Sequence, residues 1–144
     1  MKLSHIPLRL STGAFILNSG LGKQKLDTDT AAAMQEMGGR AFPQVRRMDP
    51  EKFGKLLAYG ETALGAALLL PFVPSRLAGL GLAAFSGSLL AMYFNTPSMT
   101  ADDNVRPSPE GTPYAKDVWM FGIALALILD PKNKKPAALQ TTQL

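Results

Sequence analysis

Cysteine is absent from this chain, and histidine (His5) and tryptophan (Trp119) occur once each. The missing thiols exclude disulfide exchange, thiolate nucleophiles, iron–sulfur clusters and cysteine zinc sites. A single histidine cannot supply paired axial haem ligands within one chain. Near the N-terminus, His5 is read as a solvated residue. Long basic runs are also missing. Fifteen Lys and Arg stand against 11 Asp and Glu, a net charge of +4, and the aromatic residues sit beside apolar blocks instead of among the basic ones. Nucleic acid is therefore not an expected partner. No nucleotide-binding G-x-x-x-x-G-K-S/T loop, metal-ligand cluster or nucleophile triad is visible. The residues call for no cofactor, and the chain reads as non-catalytic. No cleavable signal peptide is expected either. Leu8–Leu21 imitates the apolar part of one, but Arg9 and Asn18 interrupt it and no small-x-small site follows.

What the chain does contain is a series of apolar blocks separated by charged or proline-rich stretches. The clearest is Leu77–Phe94, which carries no charge. About 20 apolar residues cross a hydrocarbon core of about 30 Å, so this block is a candidate transmembrane helix. Within it Gly79, Ala83, Gly87 and Ala91 are spaced four apart. Small residues at that spacing lie on one helix face and let a second backbone come close. The expected fold class is all-α, an integral membrane four-helix bundle. A buried helix in a soluble all-α domain is the alternative.

The sequence predicts one membrane domain over residues 1–136, with helices at about 7–21, 50–73, 76–94 and 113–129. Pro7 opens the first and Gly20 and Gly22 close it. Asp49, Pro50 and Glu51 give the second a cap, a first-turn proline and a dipole-matched acid. Ser75 is the predicted cap of the third. The short Pro74–Ser75–Arg76 turn makes the second and third helices antiparallel neighbours. Thr112–Pro113 opens the fourth, whose own small face is Gly122 and Ala126. The loops are 22–49 and 95–112. In the first, Thr30–Met37 is a candidate short surface helix ended by Gly38–Gly39, either solvated or dipping Met34 and Met37 into the interface. The second, with Pro97, Pro107 and Pro109, reads as extended. Lys132, Lys134 and Lys135 follow the last helix, and 137–144 is a predicted disordered tail.

With antiparallel helices, Asn18, Lys23, Glu61, Asn95, Lys116 and Asp117 fall at one end of the bundle, and Arg9 and Arg76 at the other. Asn18, Lys23, Glu61, Lys116 and Asp117 form a candidate intramembrane polar cluster. An unpaired carboxylate at the depth of Glu61 is costly, so it is expected to be paired, protonated or facing a cavity. Lys23, Lys116 and Asn18 are its candidate partners. A polar clasp between helices is the favoured role; a proton or polar-ligand site is the alternative. Arg9 is read as snorkelling to the interface, with binding to a lipid phosphate or a neighbouring helix end as the second choice. Arg9, Arg76 and Trp119 are thus assigned to the lipid interface. Tyr59, Tyr93, Phe94, Tyr114 and Trp119 are expected to form an aromatic belt. The count of Lys and Arg puts the first long loop on the inside.

Arg9-x-x-x-Gly13-x-Phe15 with Gly20-x-x-Lys23, then Glu61-x-x-x-Gly65, Arg76 before a Gly/Ala-rich helix, and Lys116–Asp117 occur in that order. Over roughly Ile6 to Leu129 this pattern resembles the DoxX-like family of small bacterial membrane proteins. The resemblance implies a multi-pass protein of the bacterial inner membrane with both termini cytoplasmic, opposite to the charge count. It also implies association with membrane redox systems, since the family is named after a subunit of a thiosulfate:quinone oxidoreductase. The expected role is a non-catalytic accessory subunit of a larger membrane complex, respiratory or redox, with lipid and other integral membrane subunits as partners. The alternatives are a quinone-linked oxidoreductase subunit, in which Glu61 moves the proton and quinone is the cofactor, and a small transporter or lipid-binding protein.

Overall fold

The computed structural model describes residues 2–129. Within them the chain is helical, and no strand is formed beyond one isolated bridge between Thr100 and Pro107. The helices are α1 (His5–Lys23), α2 (Thr28–Ala41), α3 (Pro50–Leu69), α4 (Ser75–Phe94), α5 (Thr112–Ala115) and α6 (Asp117–Leu129). Short 3-10 turns at Pro43–Arg47 and Pro97–Met99 lie in the two long connections. The predicted tail 137–144 and the three terminal lysines lie outside the described residues.

Local chemistry sets the helix starts. The Asp49 carboxylate accepts the Lys52 N–H at 3.2 Å, and Pro50 occupies the first position of α3. The Asp27 carboxylate does the same for α2, accepting from the Thr30 N–H at 2.8 Å. Ser75 is not the cap of α4: Pro74 precedes the helix, and Ser75 is its first residue. Predicted helix four is broken. α5 ends before Lys116, and the Trp119 N–H donates three residues back to the Lys116 carbonyl, a tight turn from which α6 continues.

The packing is two antiparallel pairs joined by one core. α1 lies on α3, with Gly13 facing Leu68 and Leu69, and Gly20 facing Ala58 and Thr62. α4 lies on α6, with Gly79 facing Leu127 and Gly87 facing Phe121. Ile16, Leu68, Ala78, Leu82, Ala124 and Leu127 are almost wholly buried and tie the pairs together. α3 and α4, adjacent in sequence, touch much less than either touches its own partner. The Gly79, Ala83, Gly87, Ala91 stripe is thus turned toward α6, within the chain, in its Gly79 to Gly87 part. Gly122 and Ala126, the small face of the last helix, are both exposed. At about 100° per residue they point away from Ala124, which faces α4.

The long connections are built, not open. α2 packs against the start of α3, and the Gln35 amide donates to the carbonyls of Val45 (2.7 Å) and Met48 (2.8 Å), closing the turn behind it. Met34 and Met37 are half-buried. The predicted extended loop 95–112 is folded on itself. Tyr93 donates its hydroxyl to the Val105 carbonyl at 3.1 Å, Met99 is buried, and the Met99 carbonyl lies where a Cβ on Gly111 would sit. Tyr93 therefore does not belong to an interfacial belt, whereas Tyr59, Phe94 and Trp119 are exposed. His5, expected to be solvated, is buried at the start of α1.

Two helices, Ser75–Phe94 and Thr112–Leu129 taken through the Lys116 turn, are long and apolar enough to cross a membrane.

Candidate functional site

α3 ends at Leu69 with no basic residue in its last turn and no glycine cap. Its final carbonyls lack intrahelical partners and carry the negative end of the helix dipole. Arg9 of α1 supplies what is missing. Its Nε donates to the Leu68 carbonyl at 2.7 Å. Nη2 donates to Ala67 (2.9 Å) and Leu70 (2.8 Å), and Nη1 to Val73 (2.9 Å) and to the Ser75 hydroxyl (3.2 Å). The five N–H groups of a guanidinium are thereby all engaged. Arg9 is 1% exposed. The snorkelling assignment is corrected in favour of the second choice: the cation turns inward, where the bare helix end beside it accepts its N–H groups. Arg76, by contrast, is exposed in the first turn of α4.

At the other end of the pair, Glu61 is buried at 4% exposure, and its Oε2 accepts from Lys23 Nζ at 2.8 Å. Lys23 also donates to the Ser19 hydroxyl one turn back on α1. Of the three partners considered for Glu61, the fold selects Lys23, because Gly20 against Ala58 and Thr62 brings the two backbones close at that level. A polar cavity of about 320 Å³ opens beside the pair, lined by Lys23, Asp27, Ala31, Glu51, Gly54 and Lys55. Asp27 is held below the ordinary carboxylate range, first by the Thr30 backbone N–H and then by its hydroxyl. Glu51 is occupied by Lys55 at 2.6 Å.

Lys116 and Asp117 form a second, separate station. Asp117 is buried, with Oδ1 accepting no hydrogen bond, and Lys116 Nζ stands 3.6 Å from it. Lys116 donates to the Pro113 carbonyl at 2.7 Å and lies 5.8 Å from the centre of the Phe15 ring. No bond among the described residues joins this station to the Lys23–Glu61 pair, and Asn18 is exposed on α1. The five-residue cluster is thus two pairs and an outlier. Beside Lys116 an apolar groove of about 240 Å³ runs between α1 and α6, past Thr12, Phe15, Trp119, Met120 and Ile123. Among the described residues no three His, Asp or Glu side chains are placed to hold a metal ion.

Sequence reasoning gave Arg9 a neighbouring helix end only as second choice, without naming its acceptors, and missed the Gln35 clamp. A signal for the first was present: Leu68–Leu69–Leu70–Pro71 ends a helix with neither a glycine nor a cation of its own. Comparison of the chain with protein-family models, with curated proteins and with solved structures gives no match.

Proposed function

We propose that the chain is an integral membrane four-helix bundle, with α1, α3, α4 and α5–α6 as its spans, and acts as a non-catalytic accessory subunit of a larger membrane complex. The observation that carries this reading is the outward apolar surface of α4 and α6. Leu77, Leu80, Val118, Trp119 and Leu129 are all more than half exposed. Large apolar side chains left outside the fold in this number are what a lipid or protein contact would cover. The helices that fall short on hydropathy fit the same reading. Arg9, Lys23 and Glu61 are turned inward and satisfied, which leaves Leu10, Phe15, Leu21, Leu56 and Tyr59 on the outer faces of α1 and α3. Ionisable groups in spans are tolerated when they face the bundle and are paired.

What the buried ionic groups of α1 and α3 do supports the accessory role. Arg9 closes a helix end and Glu61 closes a helix pair, so both serve packing. The DoxX-like resemblance supplies the setting, a bacterial inner-membrane redox complex with both termini cytoplasmic. Alkaline carbonate extraction of cells making the full chain, followed by mild-detergent purification and mass spectrometry, tests both parts. Retention in the membrane pellet with stoichiometric recovery of oxidase or dehydrogenase subunits is expected. Release into the carbonate supernatant overturns the membrane reading. Recovery of the chain with lipid alone overturns the accessory role.

A further inference from the structure

The groove between α1 and α6 is not accounted for by packing. Its walls are Phe15, Trp119, Met120 and Ile123, with only Ser11 and Thr12 as polar lining besides Lys116. Both hydroxyls are already committed, Ser11 to the Pro7 carbonyl at 2.8 Å and Thr12 to the Leu8 carbonyl at 2.7 Å. The groove therefore offers an apolar surface and one cation. That cation stands at the groove's end nearest the Lys116 turn. Lys116 has three N–H groups. One goes to Pro113, and the ammonium is ion-paired with the buried Asp117 carboxylate at 3.6 Å, too far for a hydrogen bond. Its side chain is 45% exposed, which leaves the ammonium accessible from outside.

We infer that this groove is a binding site for an anionic phospholipid, one acyl chain lying along Phe15, Trp119, Met120 and Ile123 with the phosphate on Lys116. The inference rests on the membrane reading above. Two observations select the occupant. The groove lies on α6, part of one of the two segments apolar enough to span, so its open side faces acyl chains in that reading. Its one exposed charge is the Lys116 ammonium, whose Asp117 partner is buried, beside an exposed Trp119, which matches a molecule with an anionic head and an apolar body. A zwitterionic headgroup carries a cation of its own beside the phosphate, which Lys116 repels. A partner helix would have to place an acidic residue opposite Lys116 and compete with lipid for the same surface.

The chain carries its own reporter, because Trp119 is its one tryptophan and lines the groove. The full chain is reconstituted in vesicles of phosphatidylcholine containing either brominated phosphatidylglycerol or brominated phosphatidylcholine, and Trp119 fluorescence quenching is titrated. Brominated phosphatidylglycerol is expected to quench at a several-fold lower fraction. Lys116→Gln is expected to abolish that preference, and Lys116→Arg to keep it. Undiminished quenching of the Gln variant by brominated phosphatidylcholine shows that it is inserted. Equal quenching of the unaltered chain by the two lipids overturns the inference, as does a preference that survives Lys116→Gln. Quenching by aqueous acrylamide but by neither brominated lipid overturns the membrane reading itself, a distinct result.

Discussion

Along the α1–α3 seam, close backbone contact is accompanied by charge at both ends: Arg9 binds the carbonyl end of α3, and Lys23 holds Glu61. Along the α4–α6 seam no ion pair crosses among the described residues, and the contact is made by Gly79, Ala83, Leu82, Ala124 and Leu127. The two seams differ in what a sliding of one helix would lose. Moving α1 by one turn breaks five directed hydrogen bonds at Arg9 and the ion pair. Moving α4 by one turn replaces one small residue of its stripe by the next. The charged seam fixes register; the small-residue seam provides closeness and leaves register to shape. This is why a stripe of glycine and alanine marks a packing face without naming what packs there.

Substitutions can sharpen that contrast. The largest effect is expected for Arg9→Met, which keeps the apolar stem and removes all five donors. Uncovering several buried carbonyls should cost about 3 kcal/mol or more, since hydrogen bonds to charged groups are worth about 1.5–3 each. Chemical unfolding in detergent measures it, and a loss below about 1 kcal/mol would contradict the helix-end role. Next is a matched pair of glycines. A Cβ on Gly65 would sit 2.5 Å from the Leu17 N and 2.6 Å from its Cα, so backbone must move. One on Gly87 meets only Phe121 Cε2 at 3.7 Å. Gly65→Ala should cost about 2 kcal/mol and Gly87→Ala no more than about 0.5. Equal costs would refute the difference in closeness between these two positions. The last is the coupling between Lys23 and Glu61. A double-mutant cycle of Lys23→Met and Glu61→Gln should give about 1–2 kcal/mol, and additivity within about 0.3 would show that the pair contributes nothing by itself.

Much of the helical layout was legible because its signals are local. Asp49–Pro50 marks the start of α3, and the uncharged run after Arg76 marks α4 within a residue, but α3 ends at Leu69, four residues before the predicted 73. α2 is longer than the Thr30–Met37 segment read from sequence, since Asp27 caps it earlier and packing on α3 carries it to Ala41. The break at Lys116 was not legible, because Thr112–Pro113 and the apolar residues after it read as one helix. The site was half legible. Composition and spacing pointed to Glu61 and offered Lys23 as one of three partners. They could not separate Lys116–Asp117 from that pair, because all five polar residues share one end of the bundle and differ only in helix face.

The sequence by itself determined where apolar surface accumulates, which residue types are unavailable for chemistry, and where helices begin, because these depend on composition and on contacts within one turn. Only the tertiary structure decided that α4 packs on α6 through its glycines, and that Arg9 turns inward to the end of α3. Those outcomes depend on which helix ends and faces are brought together across some sixty residues of chain from Arg9 to Leu68, and no local pattern encodes that choice.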